Sequence, residues 1–205
     1  MVPQNSLFNS SAAIVLDTSV LINLNASGHA EEIFKALPNP VLVSKEVLAE
    51  LDDGRRMGCG DADYLHAIVS AGLVEIKELN EVELDTFEQM VIGPAGTTLD
   101  DGESATIAYA VENRAIAIID ERKAYRICKE RFPSLSIGCT IDLFAHPAVQ
   151  ESLGHTKLNI AITNALSKAR MRVFPEHVDW IIQIVGRENV GKFHSLPRFA
   201  RMNIG

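Results

Sequence analysis

Ala12-Ala-Ile-Val-Leu16-Asp17-Thr18-Ser19 is the stretch on which the fold turns. Five apolar residues in a row are too few for a helix. Their lack of alternation marks a strand buried on both faces, as in a parallel sheet. An acid stands at its carboxyl end, and the Thr18-Ser19 pair reads as the cap of a helix beginning at Val20 to Leu24. The pattern returns at Ala115 to Ile119, again closed by an acid, Asp120. Shorter strands read at Val41 to Val43, Leu73 to Ile76 and Leu135 to Gly138. Between them lie helical stretches: His29 to Leu37, Lys45 to about Leu51 behind a Ser44 cap, Ala62 to Ala71, Glu78 to Val91, Gly102 to Asn113 and Glu121 to Arg131. Arg55 to Gly60 reads as a loop, and Gly93-Pro94-Ala95-Gly96 as a break.

Strands alternating with helices predict an α/β fold with a mostly parallel central sheet flanked by helices. Beyond Ile141 no strand is expected. Ile141 to Ala145, about Leu158 to Ala169 and Pro175 to Val185 read as helices, and the end as loop. The expected organisation is an α/β domain over 1–150 and a helical, basic extension over 151–205 that packs on it.

The chain has 205 residues, 47% of them hydrophobic and 22% charged, which is enough apolar material for a sizeable core and excludes disorder. No apolar run approaches a membrane span, and the N-terminal apolar stretch lacks the basic flank of a signal peptide. Cys59, Cys128 and Cys139 are odd in number and form no C-x-x-C pair, which argues against zinc ribbons and disulfide scaffolds. A reducing cytoplasm is the expected compartment.

Net charge is -8, unevenly placed. Residues 157–205 carry eight Lys/Arg against three Asp/Glu, and residues 1–156 eleven against twenty-four. One reading is a solvated surface with no further meaning. The other is a body that gathers carboxylates around a cation and a tail that meets phosphate or an acidic partner.

Ligands of open parallel sheets sit beyond the carboxyl ends of the strands. Asp17 and Asp120 both occupy such ends, expected on adjacent strands. Either alone reads as a helix cap; together they read as an acidic pair that needs a cation to stay ionised. Glu50 lies on its helix opposite Val47 and Leu48, where a solvated Glu is the ordinary reading. Leu99-Asp100-Asp101-Gly102-Glu103 places three acids at one helix start, and capping explains one of them.

These pieces, in this order, resemble the PIN-domain nucleases, in particular short prokaryotic ones such as the VapC-type toxins and their longer uncharacterised relatives. The resemblance is carried by Ile14-Val-Leu-Asp17-Thr-Ser-Val-Leu-Ile22, Ser44-Lys-Glu-Val-Leu-Ala-Glu50-Leu51, Leu99-Asp-Asp-Gly-Glu103-Ser-Ala-Thr-Ile-Ala108 and Ile118-Ile-Asp120-Glu121, and spans roughly residues 12–145. It implies a PIN-like fold and an acidic quartet of Asp17, Glu50, Glu103 and Asp120 binding Mg²⁺ or Mn²⁺, with Asp100 or Asp101 as a ligand in place of, or beside, Glu103. Ser19 resembles the family's site hydroxyl; its other reading is a helix cap. Hard oxygen ligands suit those ions, and the six histidines show no zinc-like spacing. Arg122, Lys123 and Arg126 near the site, and Lys168, Arg170 and Arg172 in the tail, are candidate phosphate contacts, with solvated helix faces as the alternative. Trp180 is either core or a base-stacking platform.

The resemblance implies an Mg/Mn-dependent endoribonuclease, with RNA as substrate, an antitoxin protein as partner, and a homodimer using faces such as Ile68, Val69 and Leu73. The alternative is a non-cleaving PIN-fold module that binds RNA or protein. An intact acid set favours the enzyme, since converging carboxylates repel phosphate and a pure binder has no use for them. A phosphatase of the Asp-nucleophile type fits less well, because it needs a second acid two residues after the first, where this chain has Ser19.

Overall fold

Five strands form one all-parallel sheet in the order β3-β2-β1-β4-β5. The computed structural model describes residues 7, 10–58 and 60–202. The strands are β1 (Ile14–Leu16), β2 (Val41–Ser44), β3 (Glu75–Lys77), β4 (Ile116–Ile118) and β5 (Ser136–Gly138). The helices are α1 (Thr18–Ser27), α2 (Ala30–Ala36), α3 (Lys45–Arg56), α4 (Asp61–Ser70), α5 (Glu81–Val91), α6 (Asp101–Asn113), α7 (Arg122–Arg131), α8 (Thr140–Ala145), α9 (Pro147–Lys168), α10 (Val178–Val185) and α11 (Arg198–Met202). β1 pairs with β2 on one side and β4 on the other, with Ile14 opposite Ile116 and Leu16 opposite Ile118. From β1 the chain steps outward to β3, then returns to β4 on the opposite side. The reversal between β1 and β4 opens a crevice at their carboxyl ends.

Period-two alternation divides the core. Ile14, Leu16, Val43, Ile116 and Ile118 belong to one apolar cluster, with side chains of α1–α4 and α8–α10. Val15, Leu42 and Ala117 belong to the other, with Met90 of α5, Ile107 and Ala108 of α6, and Ile127 of α7. Both faces of β1 are therefore covered, which explains its unbroken apolar run. Gly102, Ser104, Ala105, Ala108 and Ala110 are all buried on α6, so small side chains let this helix lie close to β1 and β4.

The segment after residue 150 shares this core. α9 crosses that position, running from Pro147 to Lys168 with a non-helical kink at Gly154, and packs on α1 and α2. Leu158, Ile162, Trp180 and Ile181 join the cluster that holds Ile14 and Leu16, so Trp180 is a core side chain.

Some local expectations are corrected. α3 continues to Arg56, where a loop was expected from Arg55. The end of the chain, expected as loop, contains a 3-10 turn at Arg187–Lys192 and α11. Val190, Phe193, Leu196 and Ala200 are buried there, too irregularly spaced to show as a helical period. Ile68 lies in the chain's own core, so it is not available to a partner. Cys128 and Cys139 are buried free thiols, while Cys59 lies outside the described residues. Among the described residues no helix is long and apolar enough to cross a membrane.

Candidate metal centre

Asp17 and Asp120 follow the adjacent strands β1 and β4, and both are buried. Asp17 caps α1: its carboxylate accepts from Ser19 N at 3.3 Å and from Ser19 Oγ at 2.7 Å. The cap is therefore Asp17 itself and not the Thr18-Ser19 pair, and Ser19 serves as a hydroxyl that orients the acid. Asp120 is held on both oxygens. Thr140 N donates to Oδ1 at 2.8 Å, Asn23 Nδ2 donates to Oδ2 at 2.6 Å, and Thr140 Oγ1 also donates to Oδ2.

Glu50 reaches across from α3. Its Oε1 accepts from Gly102 N at 2.7 Å and its Oε2 from Thr18 Oγ1, so it is bound to the starts of both α6 and α1. A Cβ at position 102 would come within 2.5–2.9 Å of that carboxylate. Glycine leaves the helix N-terminus open for an acid to approach its free N–H groups. Asp100 caps α6, accepting from Glu103 N at 2.9 Å, and Glu103 is buried one turn in.

Crowding and burial change the titration of these acids. Asp17 is pushed up to about 7, chiefly by burial and further by the charges of Asp100 and Asp120, against the pull of the Ser19 hydrogen bond. Glu103 is pushed up to about 8 by burial and then by Asp100 and Asp17. Asp120 is raised by burial, although Thr140 and Asn23 oppose the shift. Asp17 thus feels the charges of Asp100 and Asp120, Glu103 those of Asp100 and Asp17, and Glu50 is tied to the same helix starts. Asp101 is exposed.

A second donor group was not visible in the spacing. Cys139, Asp142 and His177 place one donor atom each within 4.8 Å of one another, close enough to hold a metal ion. Both oxygens of Asp142 are already engaged, by Cys139 N at 2.8 Å and His177 Nε2 at 3.1 Å, and burial raises the Cys139 thiol well above its ordinary value. With both Asp142 oxygens already engaged within the protein, this group reads as a structural junction.

The carboxylates at the strand ends suit a hard divalent ion better. Among the described residues no three of them come mutually within 4.8 Å. These carboxylates would hold such an ion together with water, as Mg²⁺ is usually held. A cation would also offset the burial and the neighbouring charges that raise Asp17 and Glu103.

A family model described as a PIN domain matches residues 13–187. This chain belongs to the PIN-domain family. The match runs through α9 and α10, so the PIN domain reaches well into the segment after residue 150. No curated protein matches the chain. The fold is of nuclease type, and PIN domains use divalent metal ions. Sequence reasoning overlooked Asn23, Thr18, Gly102 and Thr140 as partners of the acids. Thr18, Gly102 and Asn23 lie within the quoted motifs or one residue past them, but Thr140 comes from β5–α8, which no local pattern connects to Asp120.

Of the cations expected near phosphate, Arg122, Arg170 and Arg172 line one cavity. Arg126 instead pairs with Glu130 at 3.0 Å and donates to Gly96 O, and Lys123 donates to Ala95 O at 2.7 Å. Lys168 is exposed and lines neither that cavity nor the one beside Asp120.

Proposed function

We propose that this PIN domain is a metal-dependent endonuclease that hydrolyses phosphodiester bonds in RNA, with Asp17, Glu50, Glu103 and Asp120 as its acid set. The observation that carries the reading is the pair of buried acids at adjacent strand ends, with burial and then neighbouring acid charge pushing Asp17 up to about 7 and Glu103 up to about 8. A bound cation would offset both the burial and the neighbouring charge that raise these acids.

Asp17, Glu103 and Asp120 would hold Mg²⁺ or Mn²⁺, with Asp100 beside them. When bound, such an ion supplies an activated water and stabilises charge on the scissile phosphate. The chain's own groups do the positioning. Ser19 orients Asp17, while Asn23 and Thr140 fix Asp120. Glu50, held by Thr18 Oγ1 and Gly102 N, ties α3 to the helix starts that carry Asp17 and Glu103. Burial excludes bulk water around Asp17 and Asp120, which strengthens each of these interactions.

The test is cleavage of single-stranded RNA with Mn²⁺, with and without Asp17→Asn. Metal-dependent cleavage lost in the variant supports the reading; equal rates would reduce Asp17 to a helix cap. The toxin role belongs to the same proposal. It requires that induction of the wild-type chain arrests growth, that Asp17→Asn does not, and that an antitoxin relieves the arrest.

A further inference from the structure

Two arginines of the C-terminal segment, Arg170 and Arg172, come together at cavities. Arg170 and Arg172 line a cavity of about 200 Å³ together with Ser19, Asn23, Asp120 and Glu121. Both also line a wider cavity of about 580 Å³ with Arg122, His194 and Ser195. The two cavities therefore adjoin. One holds the acid end of β4, and the other is lined by basic residues and one hydroxyl, with no acid.

We infer that the wider cavity binds a phosphate group of the nucleic-acid substrate beside the acid crevice, through Arg122, Arg170, Arg172 and Ser195. This rests on the nuclease reading for the identity of the ligand, and on separate observations for the site. Arg122 and Arg170 have no carboxylate partner among the described residues, so their charge is free to meet an anion. Arg172 is already oriented, its Nη1 lying 2.7 Å from Glu121 Oε1. Ser195 Oγ is buried without a hydrogen-bond partner, a donor left unused by the protein.

The backbone points the same way. Arg170 sits at φ 55°, a left-handed conformation that a non-glycine residue adopts at some expense in energy. Met171 next to it is buried, and its N–H is bonded to Ala165 O at 3.0 Å. Anchoring Met171 after the end of α9 sets Arg170 and Arg172 on either side of it, both at the cavity. Guanidinium groups match phosphate oxygens in pairs of hydrogen bonds, which a scattered lysine face does not. An acidic body also needs local positive charge outside the metal's reach if a polyanion is to approach.

The phosphate has two sources: an internal phosphodiester flanking the cleaved one, or a terminal monophosphate. Binding of a short fluorescent single-stranded RNA, with either a 5′-hydroxyl or a 5′-phosphate, is measured by anisotropy in EDTA across a range of salt. The wild type is compared with the double variant Arg122→Gln/Arg170→Gly, the glycine matching the left-handed backbone. Two lost charges at about 0.7 each should flatten the slope of log K against log salt by about 1.4. Binding should weaken roughly tenfold or more, the worth of a charge-assisted hydrogen bond. Arg170→Lys keeps the charge and should keep most of the slope. An equal effect on both RNAs assigns an internal phosphodiester, and an effect confined to the 5′-phosphate assigns a terminal one. An unchanged slope, or a wild type without affinity for either RNA, overturns the inference whatever the cleavage result. A wild type that binds through these arginines but never cleaves leaves the cavity standing and removes the nuclease reading.

Discussion

His177 Nε2 lies 3.1 Å from Asp142 Oδ1, with both side chains buried, and joins the C-terminal segment to the start of α8. The other oxygen of Asp142 accepts from Cys139 N, and the next residue, Thr140, holds Asp120. The tail thus braces the helix start that orients a candidate metal ligand. Removing His177 leaves a buried carboxylate with one partner lost. Breaking such a pair costs about 3–5 kcal/mol. His177→Phe should destabilise by about that amount, read from the midpoint of urea unfolding. A change under about 1 kcal/mol would mean that α8 needs no such brace.

The pH dependence of the metal-free protein should reflect two opposed groups of acids. Asp17 and Glu103 titrate near 7 and 8 in the fold, against ordinary values of 3.8 and 4.5. The folded state holds their protons longer than the unfolded chain, so stability falls as pH rises from about 4.5 through 8. Asp142 is lowered even though burial opposes it, because hydrogen bonds and charge from His177 and a hydrogen bond from Cys139 N outweigh it. Its contribution is present above its ordinary pKa and is lost as pH falls through the depressed value. In EDTA, Tm should decline from pH 5 to pH 8, and Mn²⁺ should restore most of it at pH 8. A flat profile would show that the acids are not crowded in solution.

Asp17→Asn removes one charge of that crowd while keeping its shape and most of its hydrogen bonding. Tm in EDTA at pH 8 should rise, and cleavage should fall by at least about 100-fold, since even outer partners of a metal site are worth 10- to 100-fold. Thermal melts and single-turnover cleavage measure the two effects separately.

Gly102→Ala separates site from fold. The three atoms nearest an added Cβ all belong to the Glu50 carboxylate, the far end of a flexible side chain that can swing away. Alanine is favoured over glycine in helices by about 1 kcal/mol, so stability should hold or improve slightly. Displacing Glu50 breaks its bond to Gly102 N, and activity should drop about 10- to 100-fold. Loss of stability with full activity would place the importance of Gly102 in packing.

Thr140→Val keeps the volume and the backbone N–H but deletes the hydroxyl that donates to Asp120. Activity should fall about 10- to 100-fold, with Mn²⁺ affinity reduced in parallel. Titration of Mn²⁺ against the variant checks whether the loss lies in metal binding.

The amino-acid sequence by itself determined the five strands, their parallel pairing class and the four candidate acids. Ile14 to Leu16 and Ile116 to Ile118 are unbroken apolar runs because both faces of those strands are covered, and that requirement leaves a local mark. Asp17 and Asp120 likewise stand at strand ends and Glu103 at a helix start, positions set by immediate neighbours, whereas Glu50 sits in the middle of α3 and is marked by the family resemblance alone. What only the tertiary structure decided is which groups meet across the chain. Asn23 and Thr140 converge on Asp120 from positions 97 and 20 residues away, and Glu50 meets Gly102 N from a distance of 52. His177 meets Asp142, and Arg170 and Arg172 come to line the cavity beside Asp120, through the course of α9 and the burial of Met171. Hydrophobic periodicity records which face of an element is buried, but it does not record what that face is buried against. Those pairings follow from strand order and helix packing, which are properties of the whole chain.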